Sequence, residues 1–183
     1  SPPDAADAES VLERAGCLKN IVDAVNVTDG AGAKPHMSAL ATAAILSQNG
    51  IEAVLQFTTR DRNRIAIQGD LIGGWALGIP NILCLYGDDI TVGDQPDSKK
   101  VHDIDSKQLM ETAKIMKNEG TFPTGRKIDP KPELFIGAAD LPRMPEKDFN
   151  ASGLLAKISA GADFFQTQFA FDINAVSYTH LRA

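Results

Sequence analysis

The stretch "NILCLYGDDI", residues 81–90, carries an apolar run straight into two adjacent carboxylates, Asp88 and Asp89. Close carboxylates repel each other, so their placement needs a cause. One is a tight turn, which aspartate favours by bonding its own backbone. The other is a site at the exit of the strand, where a parallel α/β protein keeps its chemistry. On Gly-Asp-Asp alone the two readings carry equal weight. Gln166 and Gln168 stand two residues apart and share one face of an extended segment. On an inward face such amides are costly in a packed core and useful in a ligand pocket. Gln56 interrupts an apolar strand and reads either as a hydrogen-bonded core amide or as a further pocket group. Lys157, on spacing alone, reads as a solvated helix residue. The "RDRNR" at 60–64 reads as a charged helix start that forms salt bridges or meets an anion. No metal-ligand cluster stands out, "GDLIGG" is too loose for a phosphate fingerprint, and Gly-x-Ser-x-Gly is missing. Three histidines in all leave little room for a histidine-based triad.

The elements that must position these groups follow from periodicity. Val11, Leu12, Ala15, Leu18 and Val22 share a helical face over residues 7–22. Ser38 caps a second predicted helix, with Gly50 past its end, and Asp61 caps a third that stops near Gly78. Asp105 opens a fourth helix ending near Gly120, residues 121–132 are loop, and residues 147–160 form a fifth helix. Predicted strands cover 23–28, 52–57, 81–86, 133–139 and 164–171. Strands that are nearly all apolar, alternating with amphipathic helices, make a parallel sheet covered on both faces. A doubly wound sheet and a (β/α)8 barrel both fit. A barrel takes roughly 250 residues, so in that reading the chain is a partial TIM barrel. Residues 1–176 then form the incomplete barrel domain, and 177–183 are a tail foreign to the fold. Ligands of parallel α/β proteins bind beyond the carboxyl ends of the strands. Polar residues stand at all five exits: Thr28-Asp29, Gln56 through Asp61, Tyr86 through Asp89, Asp140, and Gln166 through Gln168.

The 183 residues suffice for one buried core. No apolar run reaches the roughly 20 residues of a membrane span, and the first ten residues lack the regions of a signal peptide. Cys17 and Cys84 lie within apolar patterns and are expected as buried thiols, which suits a reducing cytoplasm. A net charge of -6 argues against nucleic acid as a partner. A homo-oligomer is left open.

In order along the chain, "VNVTDGAGAK", "LQFTTRDRNR", "ILCLYGDD" and "AGADFFQTQFAFD" resemble the catalytic barrel of the methylenetetrahydrofolate reductase family. The resemblance implies a (β/α)8 barrel that carries FAD. It also implies reduction of 5,10-methylenetetrahydrofolate to 5-methyltetrahydrofolate by NADH or NADPH, in a ping-pong relay. It casts Asp88 as the catalytic aspartate beside flavin and folate, and Gln168 as the glutamine that meets folate. Thr28, Gln56, Tyr86, Gly87 and Asp88 match flavin-site positions. His102 and Asp103 align with a flavin-contacting pair, and Lys157 with a lysine at the flavin phosphates. Two substitutions mark a divergent branch: tyrosine stands at 86 where many members have arginine, and glutamine at 56 where histidine is common. The family's catalytic glutamate lies three residues before a Pro-Pro pair. Here Pro2-Pro3 matches that pair, so the glutamate is expected upstream of Ser1, and the chain by itself is expected to be inactive. Two other readings stay open: another flavin- or pterin-linked enzyme on this barrel, and a non-catalytic folate- or flavin-binding subunit.

Overall fold

Val25, Val27, Ala53, Leu55, Phe57, Ile82, Cys84, Ile136 and Ala138 share one strand parity and are apolar, whereas the other parity carries the polar Asn26, Gln56, Thr58 and Gln166. This asymmetry builds a sheet with a helix-packed outer face and an inner face that carries the polar groups. The computed structural model describes residues 1–141, 150–169 and 171. Helix α1 spans Ala8–Gly16, β1 Val25–Val27, α2 Ala39–Gln48, β2 Ala53–Thr58 and α3 Arg64–Ala76. They are followed by β3 Asn81–Leu85, α4 Ser106–Glu119, β4 Phe135–Asp140, α5 Ser152–Ala160 and β5 Phe164–Thr167. Short 3-10 turns occupy Ala31–Ala33 and Ile90–Val92.

The five strands pair in parallel in the order β1-β2-β3-β4-β5. A doubly wound sheet reverses its strand order at a switch point. Here the order never reverses, and the sheet curls into a half-barrel, consistent with a partial TIM barrel. The register sets Val27, Leu55, Ile82 and Ile136 in one row across four strands, each no more than 3% exposed. They join Leu46, Ile67, Leu71, Leu109 and Met116 of the helices in one core. Full burial of each such side chain contributes roughly 1.5–3 kcal/mol.

The helix starts have local causes. The Asp7 carboxylate accepts from the Ser10 amide at 2.7 Å and caps α1. Asp105 caps α4 through a reciprocal box with Gln108, and Gly120, at φ 64°, closes that helix as expected. Helix α3 departs from expectation. Asn63 caps it, accepting from the Ile65 and Ala66 amides at 3.1 and 3.0 Å. The Asp61 carboxylate is instead held by the Arg60 guanidinium. The first helix is also shorter than its apolar period. It ends at Gly16, Asn20 takes a left-handed φ of 64°, and Ile21 and Val22 turn to solvent. Of the predicted 147–160 helix, α5 is seen from Ser152, while 142–149 and the 177–183 tail lie outside the described residues.

Early termination of α1 corrects the reading of the cysteines. Cys17 is the exposed C-cap of α1, whereas Cys84 is buried in β3, where burial pushes its thiol pKa up. In the native protein, a disulfide reagent is expected to titrate Cys17 rapidly. Cys84 should react only after denaturant is added. Rapid reaction of both would show that the β3 core is open. No helix among the described residues is long and apolar enough to cross a membrane.

Candidate functional site

The inner-face parity runs Asn26 and Thr28 on β1 and its exit, Gln56 and Thr58 on β2, Leu83 and Leu85 on β3, Ala139 on β4, and Gln166 with Gln168 on β5 and its exit. All of them line a single cavity of about 490 Å³ at the carboxyl ends of the strands. Register fixes this arrangement, because Gln56 pairs with Leu83, Thr58 with Leu85, and Ala139 with Gln166. Lower on β4 and β5, Phe135 and Phe164 stack with centroids 4.9 Å apart. Gly137 makes room for this stack, since a Cβ there would strike the Phe164 ring.

The two adjacent aspartates diverge. Asp88 lines the cavity, and its Oδ2 accepts from the Gly32 amide of the β1 exit loop at 2.7 Å. Asp89 faces away and caps the Ile90–Val92 turn, accepting from the Thr91 amide at 2.9 Å and the Thr91 hydroxyl at 2.8 Å. It also pairs with Lys100, and these bonds, Lys100 first, hold its carboxyl well below the usual carboxylate range. The turn reading of Gly-Asp-Asp therefore holds for Asp89, while Asp88 stands at the cavity. Gly87 just before them adopts φ 99°, and a Cβ there would stand 3.0 Å from Arg60 Cβ and 3.2 Å from Thr58 Cβ. Glycine is thus needed for both conformation and clearance.

Of the residues singled out from the sequence, Thr28, Gln56, Tyr86, Gly87, Asp88 and Gln168 meet around this cavity. His102 stands behind it: its ring stacks on Tyr86 at 3.8 Å and 7°, and its Nδ1 lies 3.3 Å from the Thr59 hydroxyl. Asp103 and Lys157 are not among the lining residues. Asp103 receives Arg64 Nε at 2.7 Å, Arg64 Nη2 at 2.9 Å and the Arg64 amide at 2.9 Å. These bonds lower its carboxyl pKa to about 2. Lys157 Nζ donates to the Ala139 carbonyl at 2.6 Å and lies 3.5 Å from Asp140.

Several site residues were not assigned roles from the sequence. Asp29 is buried and accepts from the Thr58 amide at 2.9 Å and hydroxyl at 3.0 Å. Arg62 grips the same carboxylate with both terminal nitrogens, at 2.6 and 3.1 Å, and lies over the Phe57 ring. This pair binds the β1 exit to β2. All three arginines of "RDRNR" resolve into ion pairs: Arg60 with Asp61, Arg62 with Asp29 and Asp70, and Arg64 with Asp103. Asn26 was also missed. Its Oδ1 and the Thr28 Oγ1 are buried without a hydrogen-bond partner, and both residues line the cavity. The signal for Asn26 was its spacing of two from Thr28, the spacing that had singled out Gln166 and Gln168.

Orphaned polar atoms at the wall of a cavity fit a ligand that brings hydrogen-bonding groups of its own. The site offers acceptors and amides on the inner face, with no cluster of histidine, cysteine and carboxylate suited to a metal among the described residues. That set matches the edge of a flat, polar heterocycle such as the flavin ring. No curated protein matches the sequence. The family model described as methylenetetrahydrofolate reductase, however, matches residues 1–181. With its motifs, its singly wound parallel strands and its polar carboxyl-end cavity in agreement, the chain belongs to the methylenetetrahydrofolate reductase family.

Proposed function

We propose that the intact protein reduces 5,10-methylenetetrahydrofolate to 5-methyltetrahydrofolate, using FAD and NADH or NADPH. The observation that carries this reading is the cavity itself: residues from all five strands or their exits converge on it, with two unpartnered polar atoms in its wall. Bound FAD would supply the hydride chemistry between nicotinamide and folate. The chain's own residues bind, orient and polarise. Thr28, Asn26 and Gln56 offer the hydroxyl and amide groups that would hold the flavin edge. Gln168 carries both a donor and an acceptor, as the amide-like edge of a pterin requires. The Asp88 carboxylate, fixed by the Gly32 amide, places negative charge where a cationic one-carbon centre on the folate would gain from it. Lys157 keeps ammonium protons beyond the one given to Ala139, and a cation suits a cofactor phosphate. His102 braces Tyr86, and Asp103 orders the segment through Arg64.

Turnover is assigned to a closed ring. Among the described residues no strand pairs with the outer edges of β1 or β5. Phe169 and Phe171 stand 88% and 96% exposed beside β5. In this reading the five-stranded sheet alone holds neither FAD nor activity.

Thr28→Val tests the flavin assignment through two opposite effects. Removing a buried, unpartnered hydroxyl should stabilise the flavin-free protein by about 1 kcal/mol. Removing a bond to the flavin should weaken FAD binding about threefold to tenfold. Thermal unfolding without FAD and fluorescence titration with FAD measure the two. A variant that is more stable and binds FAD as tightly as wild type would place the flavin elsewhere.

A further inference from the structure

Three strand exits converge on one buried guanidinium. Arg60 follows β2 and is 4% exposed. Its charge is met by Asp61, with Nε 2.7 Å from Oδ1 and Nη2 2.6 Å from Oδ2. The rest of the fork points across the loops. Nη1 and Nη2 each lie 3.3 Å from the Gly30 carbonyl, and Nη1 lies 3.3 Å from the Asp88 carbonyl. Gly30 opens the turn whose Gly32 amide donates to the Asp88 carboxylate. Asp88 is thus held twice, by its own carbonyl, which Arg60 bonds directly, and by its side chain, which the Gly32 amide bonds from the turn that Arg60 anchors at Gly30. Arg60's own carbonyl accepts from the Val101 amide at 2.7 Å, one residue before the His102 that stacks on Tyr86.

A planar fork with five donors can bridge a carboxylate and two carbonyls at once, and a lysine ammonium cannot reproduce that geometry. Burying a charge is also a costly way merely to fill space. We propose that Arg60 is a positioning residue for Asp88: it locks the β1 and β3 exit loops together so that the Asp88 carboxylate faces the cavity in one orientation. The inference rests on the reading of Asp88 given above.

The test uses the intact protein with Arg60→Lys, Asp88→Asn and the double variant. Arg60→Lys is expected to lower folate turnover about tenfold, while the double variant stays within about twofold of Asp88→Asn alone. Losses that multiply would show that Arg60 acts independently of Asp88, and would overturn the proposal. Exchange of the Gly32 amide supplies a readout that needs no catalysis, because this amide is protected by the Asp88 carboxylate. It should speed up in Arg60→Lys while exchange in the core strands stays unchanged. Unchanged turnover in Asp88→Asn would defeat the reading of Asp88 itself. Slow Asp88→Asn turnover, together with normal turnover and normal Gly32 exchange in Arg60→Lys, would defeat the Arg60 proposal alone. Should Arg60→Lys not fold, Asp61→Asn leaves the arginine in place and loosens it. The same non-multiplying loss with Asp88→Asn is expected there, and a multiplying one again overturns the proposal.

Discussion

Asp29→Ala is expected to destabilise the protein by about 3 kcal/mol, the lower end of what breaking a buried ion pair costs. The substitution removes the acceptor of the Thr58 amide and hydroxyl and unpairs Arg62 at once. The lower end applies because Arg62 is 20% exposed and keeps Asp70 at 3.2 Å. Urea unfolding of the intact protein at neutral pH measures the loss. Adding Arg62→Leu to an Asp29→Leu background should recover part of it, because no uncompensated charge then stays buried. A loss below about 1 kcal/mol for Asp29→Ala would mean that water screens the pair, as at exposed ion pairs.

Asp88→Asn is expected to lower folate turnover at least tenfold, about 1.4 kcal/mol or more in the barrier. The FAD spectrum should stay close to that of wild type. Asparagine retains an oxygen that can accept from the Gly32 amide, so the loop is kept and the charge alone is lost. Asp89→Asn is the control, since that carboxylate serves Thr91 and Lys100 on the far side of the turn. Steady-state turnover of the two variants decides between them. Normal turnover in Asp88→Asn would reduce Asp88 to an acceptor for the Gly32 turn.

What the sequence made legible was whatever depends on period and on strand polarity. The apolar runs placed all five strands, because residues such as Leu55, Ile82 and Ile136 are apolar wherever they face helices. Gln56, Gln166 and Gln168 stood out because each breaks that pattern on the inner face, and the structure puts all three at one cavity. Strand order was not legible in the period, since a doubly wound sheet and a barrel share the same alternation of elements; the motif resemblance pointed to the barrel, and the unreversed order agrees with it. The long-range ion pairs were equally hidden. Asp29 and Arg62 lie 33 positions apart, and nothing local announces which arginine of "RDRNR" turns back to which carboxylate. The same hidden pairing misdirected the cap of α3: Asp61 looks like a cap in sequence, but Arg60 claims it and leaves the role to Asn63. Cys17 was misread because the apolar face of α1 continues in sequence to Val22, beyond the point where the left-handed Asn20 turns the chain outward.

The proposed reaction requires that this cavity bind FAD and pass reducing equivalents to a folate. Anaerobic stopped-flow absorbance of the intact protein tests it most directly. NADH or NADPH should bleach the visible band of bound FAD, and 5,10-methylenetetrahydrofolate, added once the nicotinamide is consumed, should restore it. Asp88→Asn should slow the restoration at least tenfold, about 1.4 kcal/mol in the barrier. A protein that takes up no flavin, or whose bleached band the folate fails to restore, would contradict the claim.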